Sequence, residues 1–403
     1  MRVLFSGGGT GGHLYPTLSL AQALRRGDAE AGLCEPSASS PSPERSNPMT
    51  ASPARPVHAV LFVGAPGNMD EALLTRDDVP YKTVRSQPLT GLSKVRAALG
   101  LAGNAAAVMQ ALPIVSHFRP DAIVGSGGYA CAPAVIAGAM LRASGRLPNL
   151  RVALMEPNVI PGLANRRLAR HANEIWGAYA DSATSAFFGD KFVLTGIPVR
   201  ADLHTPMQKA EARRSLGLHP ERFTVLVFGG SQGARSLNVA TSGMVARRRL
   251  PLDWQVLHLT GVRDHAWMMA ERKTEPNDNR YIVMAYLDAM ALAYWAADIA
   301  VCRAGASTLA ELCQVGLPAI LVPYPHSSEQ HQRDNASYFT DRGAAYTMPD
   351  AALNPDSLYW MLVEASEADK LATLAARLRA LAHPHAVESM LARLIGGDVA
   401  VHT

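Results

Sequence analysis

Cysteine is scarce in this 403-residue chain: Cys34, Cys131, Cys302 and Cys313 are scattered, and no two form a Cys-x-x-Cys pair. That excludes the common zinc and dithiol motifs, and free thiols fit a reducing compartment. Charge is also modest. Charged residues make up 18% of the chain, and 38 Lys and Arg against 34 Asp and Glu leave a net +4. So small an excess gives no case for a nucleic-acid partner, and none is expected. It suits an anionic small ligand or an anionic membrane surface. The opening "MRVLFSGGG" reaches glycine after a short apolar run, too brief for a signal-peptide core, so no secretory leader is expected. One uncharged run, Ala122 to Leu141, has the length of a membrane span, but it holds a glycine cluster and Pro133. It reads better as a buried strand, a glycine loop and a buried helix.

What is present is a recurrent unit: a short apolar, β-branched run, then glycine, then a helical pattern. "RVLF" leads to Gly7, "AVLFVG" ends at Gly64, "DAIVG" ends at Gly125 and "RVALM" ends at Glu156. In the second half "TVLVF" leads to Gly229 and "DIAVC" ends at Arg303. Such alternation is the signature of parallel α/β sheets. Leu14, Leu18, Ala21 and Leu24 recur at helical spacing after the first loop. "ASTLAELCQVG" predicts a helix capped by Ser307 or Thr308, with Glu311 in its first turn and Gly316 as its stop. "VLFSGGGTGGH" and "VLVFGGSQGAR" echo one another, which predicts two similar α/β domains, residues 1–200 and 201–383, with the break near Thr195 to Pro206. The Pro-, Ser- and Ala-rich stretch 27–56 has no period and reads as a mobile insertion.

Gly7, Gly9 and Gly12 satisfy Gly-x-Gly-x-x-Gly between a strand and a helix, where bare backbone and a helix N-terminus favour a phosphate. A dinucleotide site also needs an acidic residue at the end of the second strand, and "LFVGAPGN" offers none before Asp70. Three more small-residue loops, 125–129, 229–235 and 303–311, also follow apolar strands. Together they point to one ligand or ligand pair in a cleft between domains. Each alone could be no more than a tight strand-to-helix turn. His13, where a helix begins, suits a neutral base because the helix dipole disfavours imidazolium, although it could equally hydrogen-bond its own loop. "PYPHSSEQHQRDNA", 323–336, is dense in amides and imidazoles of the kind that bind sugars, or is an ordinary solvated loop. The chain lacks Asp-x-Asp, so no metal and no other cofactor is expected. A bound nucleoside diphosphate would need helix dipoles and Arg to neutralise it.

These stretches, with "GSGGYACAP", "EPNVIPGLANRRLA", "TGIPVR", "FGGSQGARSLN", the run from Ala285 to Ala336 and "DRGAA", occur in an order that resembles the MurG family of bacterial glycosyltransferases over most of residues 1 to about 390. The resemblance implies GT-B architecture: two Rossmann-like parallel-sheet domains facing across a cleft, with a C-terminal helix, about 384–403, packing back on the first. It implies UDP-GlcNAc as donor on the second domain and lipid I, undecaprenyl-pyrophosphoryl-MurNAc-pentapeptide, as acceptor on the first. GlcNAc would pass with inversion to the MurNAc 4-hydroxyl, giving lipid II for peptidoglycan.

Carried over by position, the resemblance puts Thr10, Gly11 and Gly12 on the donor loop, with Asn158, Arg200 and Ser231 as further donor contacts. Leu287 would meet uracil, Ala306, Ser307, Thr308, Leu309 and Ala310 would face the diphosphate, Glu311 would hold the ribose and Gln332 the sugar hydroxyls. His13 would assist deprotonation of the acceptor or orient its pyrophosphate. Met155 and Pro157 replace polar residues of the family, which weakens the acceptor contacts inferred there, and Ile197 stands where Asn is usual. Two rival functions follow: a related GT-B enzyme acting on another lipid acceptor, or a non-catalytic nucleotide-sugar binding protein.

A lipid-linked acceptor implies a peripheral enzyme at the cytoplasmic face of the bacterial plasma membrane, with room for contacts to other cell-wall synthesis proteins. Residues 88–112, where Leu89, Leu92, Val95, Leu99 and Leu101 mix with Lys94 and Arg96, read as the membrane contact, or else as a core-facing helix with a basic edge.

Overall fold

The computed structural model describes residues 1–8, 11–27, 58–66, 69–87, 94–230, 232–247, 250–271, 279–327 and 330–396. Two parallel sheets organise them. The first contains β1 (Arg2–Ser6), β2 (Ala59–Gly64), β3 (Tyr81–Thr83), β4 (Ala122–Gly125), β5 (Arg151–Glu156), β6 (Glu174–Gly177) and β7 (Phe192–Leu194). Their spatial order is β3-β2-β1-β4-β5-β6-β7. The second contains β8 (Phe223–Phe228), β9 (Trp254–Leu259), β10 (Tyr281–Met284), β11 (Ile299–Cys302), β12 (Ala319–Leu321) and β13 (Tyr346–Thr347), in the order β10-β9-β8-β11-β12-β13. The echo between "VLFSGGGTGGH" and "VLVFGGSQGAR" thus reports equivalent strands: β1 and β8 each sit where the strand order reverses.

Alternation along the central strands builds a core on each face of each sheet. Val3 and Phe5 of β1 pack with Leu14, Leu18 and Leu24 of the Gly11–Arg26 helix. Leu4 faces the other way, toward Val115, Ala134 and Val135. In the second sheet Val225 and Val227 face one cluster, Leu226 and Phe228 the other. The Ala386–Ile395 helix returns to the first sheet, where Met390, Leu391 and Leu394 join the cluster containing Val3 and Phe5.

The uncharged run from Ala122 is β4 followed by the Gly128–Ala143 helix, most of it buried. Among the described residues no helix is long and apolar enough to cross a membrane.

The Ala306–Val315 helix begins differently from the sequence expectation. Gly305, extended at φ −71° and ψ 139°, is its N-cap, and no side chain caps it. Ser307 and Thr308 lie inside the helix, and Glu311 is its sixth residue, beyond the first turn. The glycine makes the strand-to-helix turn itself, so a hydroxyl cap is not needed. Gly316 stops the helix as expected, in the left-handed conformation at φ 71°. The 27–56 insertion lies, but for Gly27, outside the described residues, as do 88–93 of the expected membrane segment.

Candidate active site

The four loops singled out in the sequence follow β1, β4, β8 and β11. These are the strand pairs on either side of the reversal point in each sheet. Open parallel sheets bind ligands there, beyond the strand carboxyl ends, where adjacent chains depart to opposite faces. The first two loops touch. Ser126 N donates to Ser6 O at 2.9 Å, and a Cβ on Gly7 would lie 1.8 Å from Ser126 Oγ. A side chain at Gly7 would have to displace the Ser126 hydroxyl.

The carboxyl ends of the two sheets face each other, and side chains tie them. The hydroxyls of Tyr15, on the first helix, and Tyr286, beyond β10, are 3.2 Å apart. Arg76 approaches Asp288 at 3.5 Å. Asn335, on the His331–Asp341 helix, donates Nδ2–H to Asn158 Oδ1 at 3.1 Å and accepts Val159 N–H at 3.0 Å. Asn158 also donates Nδ2–H to Glu156 Oε1 at 3.0 Å. Glu156, buried at the end of β5, further accepts from the backbone N–H of Asn158 and Gly162 and from Asn165 Nδ2. That set of N–H donors satisfies an otherwise costly buried carboxylate.

Arg200, at the exit from the first domain, reaches Glu311 in the second: its Nε donates to Oε1 at 2.9 Å. The other carboxylate oxygen accepts from the Tyr294 hydroxyl at 2.7 Å. The guanidinium also donates to Asp288 O at 3.5 Å, beside the half-buried Leu287, and its carbon lies 5.0 Å from the centre of the Tyr15 ring. Burial pulls the Arg200 guanidinium down, but the Glu311 carboxylate outweighs it and holds the pKa above the ordinary arginine value. Burial first, then the Tyr286 hydroxyl, raise the Tyr15 phenol.

Arg200, Glu311, Leu287 and the start of the first helix therefore converge. Asn158 meets Asn335, whose Nδ2 also reaches Ala304 O at 3.3 Å, just before the Ala306–Val315 helix; Gln332 shares the helix of Asn335. Gln332 Oε1 accepts Tyr324 N–H at 2.9 Å. Gly11, Gly12 and His13 lie on the first turn of the Gly11–Arg26 helix. Thr10 and Ser231 lie outside the described residues. Met155 and Ile197, two of the departures from the family pattern, are 1% and 4% exposed, and Pro157 is buried. The Met155 and Ile197 side chains pack into hydrophobic cores.

Sequence reading missed Tyr15, Tyr286 and Tyr294. Each sits in an apolar or helical run that reads as core, and no local spacing marks the hydroxyls of Tyr15 and Tyr286, which meet across the domains, or that of Tyr294, which reaches Glu311 within the second.

Two similar Rossmann-like domains with apposed strand ends define a glycosyltransferase of GT-B architecture. Residues 54–176 match the glycosyltransferase family 28 N-terminal domain and residues 224–389 the glycosyltransferase family 28 C-terminal domain. The chain is similar to the UDP-N-acetylglucosamine--N-acetylmuramyl-(pentapeptide) pyrophosphoryl-undecaprenol N-acetylglucosamine transferase of Desulforudis audaxviator, 33% identical with 97% of each chain covered. The protein of that name from Chlorobaculum parvum is also 33% identical, covering 98% of this chain and 99% of its own. Among solved structures, Acinetobacter baumannii MurG superposes with a TM-score of 0.68 at 23% identity, covering 98% of this chain and 99% of its own. The calicheamicin glycosyltransferase CalG4 shares the fold with a TM-score of 0.63 at 14% identity, over 99% of both chains. The chain belongs to the MurG family.

Proposed function

We propose that this protein transfers GlcNAc from UDP-GlcNAc to the MurNAc 4-hydroxyl of lipid I, yielding lipid II for peptidoglycan. The observation that carries the reading is likeness over nearly the whole length, at 33% identity, to transferases named for that reaction. It is supported by a cleft lined from both sides by strand-end loops poor in side chains, where phosphates can approach backbone N–H groups.

Inverting transfer is a single displacement. It needs a positioned acceptor, a base for its hydroxyl and stabilisation of departing UDP. In this reading the N-terminus of the Ala306–Val315 helix faces the donor diphosphate, since its dipole favours an anion. Thr10 and Ser231 are carried over from the family resemblance as donor contacts, and Gly11 and Gly12 keep the start of the first helix bare. Leu287 meets the uracil, Glu311 and Arg200 serve the ribose, and Asn158 and Gln332 serve the sugar. His13 is the base or orients the acceptor pyrophosphate.

The acceptor's lipid implies work at the cytoplasmic face of the membrane. The Lys94–Phe118 helix contributes to that contact. Ala107, Ala111 and Val115 bury one side of it, while Met109 is 63% exposed on another.

The test is transfer of labelled GlcNAc to a lipid I analogue in detergent, with UDP-GalNAc as rival donor and diacylglycerol as rival acceptor. Label in lipid only with UDP-GlcNAc and lipid I is expected. Transfer to diacylglycerol, or UDP-GlcNAc binding without transfer, overturns the reading.

A further inference from the structure

Tyr294 is assigned no part in the reaction by anything above. It is 1% exposed, lies on the Met290–Ala296 helix, and sets its ring edge-on to Phe228 at 5.8 Å between centroids. Its hydroxyl donates to Glu311 Oε2 at 2.7 Å, while Arg200 Nε donates to Oε1 at 2.9 Å. Burial, then the adjoining carboxylate, push the Tyr294 phenol well up, so it remains a donor throughout the working pH range.

A carboxylate offers about four acceptor sites, two on each oxygen. Tyr294 and Arg200 each take one, on different oxygens. One site is left on each oxygen. A ribose presents two neighbouring hydroxyls, each able to donate one hydrogen bond. The carboxylate side chain is 9% exposed, so it cannot turn to water to satisfy a site that a ligand leaves empty. We propose that Tyr294 is a positioning residue for donor specificity: with Arg200 it locks Glu311 into an acceptor pair that fits the 2′,3′-diol of a ribonucleotide and rejects a 2′-deoxyribonucleotide. This rests on the reading of Glu311 as the ribose ligand.

The test is calorimetric binding of UDP and of 2′-deoxy-UDP to the full chain, in wild type, Tyr294→Phe and Phe228→Leu. Wild type is expected to favour UDP by about tenfold or more. Tyr294→Phe keeps the ring and removes only the hydroxyl, and should shrink that preference about fivefold, mainly through weaker UDP binding. Phe228→Leu loosens the ring contact and should lower the melting temperature while leaving the preference intact. Tyr294→Met, read the same way, replaces the Phe variant if that does not fold. An unchanged preference in the Tyr294 variant, or an equal loss in Phe228→Leu, overturns the proposal and leaves Glu311 as ribose ligand. A wild type with no preference for UDP overturns that reading, and the proposal with it.

Discussion

Asn335, 1% exposed on a helix of the second domain, clips Asn158 of the first through a hydrogen bond of 3.1 Å, and its carbonyl oxygen accepts Val159 N–H at 3.0 Å. One amide thus serves as donor and acceptor across the domain boundary, a pairing an isosteric carboxylate cannot reproduce. Asn335→Asp would set its oxygens against Asn158 Oδ1 and Ala304 O. It should destabilise the chain by about 1–3 kcal/mol, seen as a lower thermal midpoint. A midpoint equal to wild type would show that the clip contributes nothing.

Glu311→Ala should weaken UDP-GlcNAc binding about tenfold or more, because the ribose loses its acceptors. Arg200 and the buried Tyr294 hydroxyl also lose their partner, so the melting temperature should fall as well. Undiminished donor affinity by calorimetry would remove Glu311 from the donor site.

His13→Ala should reduce turnover about a hundredfold, the usual contribution of a general base, with donor affinity nearly unchanged. Steady-state kinetics on lipid I analogue and UDP-GlcNAc titration separate the two. A near-normal rate would exclude His13 as base.

His258 introduces a pH dependence unrelated to catalysis. It is fully buried on β9, donating Nε2–H to Asn238 Oδ1 at 2.9 Å and accepting the Tyr281 hydroxyl on Nδ1 at 2.8 Å. Burial lowers its pKa to about 3, so the native imidazole stays neutral while the unfolded one protonates below about pH 6.5. The unfolded state then binds more protons, and stability falls as pH drops from about 6.5 toward 3. His258→Gln should melt lower than wild type at neutral pH but lose less of its midpoint between pH 6.5 and 4. Parallel curves would exclude His258 as the source.

Cys131, Cys302 and Cys313 are buried; burial pushes the first two thiols up to about 12 and the third up as well. In a Cys34→Ser background, iodoacetamide at pH 8 should label them only as fast as the chain unfolds. Rapid labelling without denaturant would contradict their burial.

Much of this architecture is legible in short stretches. Val3 to Phe5, a bare turn, then Leu14, Leu18, Ala21 and Leu24 declare a strand, a loop and an amphipathic helix, because apolar period follows backbone geometry. Strands of two to four residues, such as β13 and β6, carry too few side chains to show a period and escaped notice. The helix cap at Gly305 escaped because Ser307 and Thr308 offered a better local signal than the glycine that made the turn.

The sequence by itself determined the alternating α/β pattern, the doubled domain and the four loops where a phosphate could approach, since each depends on residues close together in the chain. Only the tertiary structure decided that those loops flank the reversal points of two apposed sheets. It also decided that Arg200 and Tyr294, 94 residues apart, hold one carboxylate between them. Such pairings depend on how the strands are ordered in space and on how two domains meet, and no local spacing encodes either.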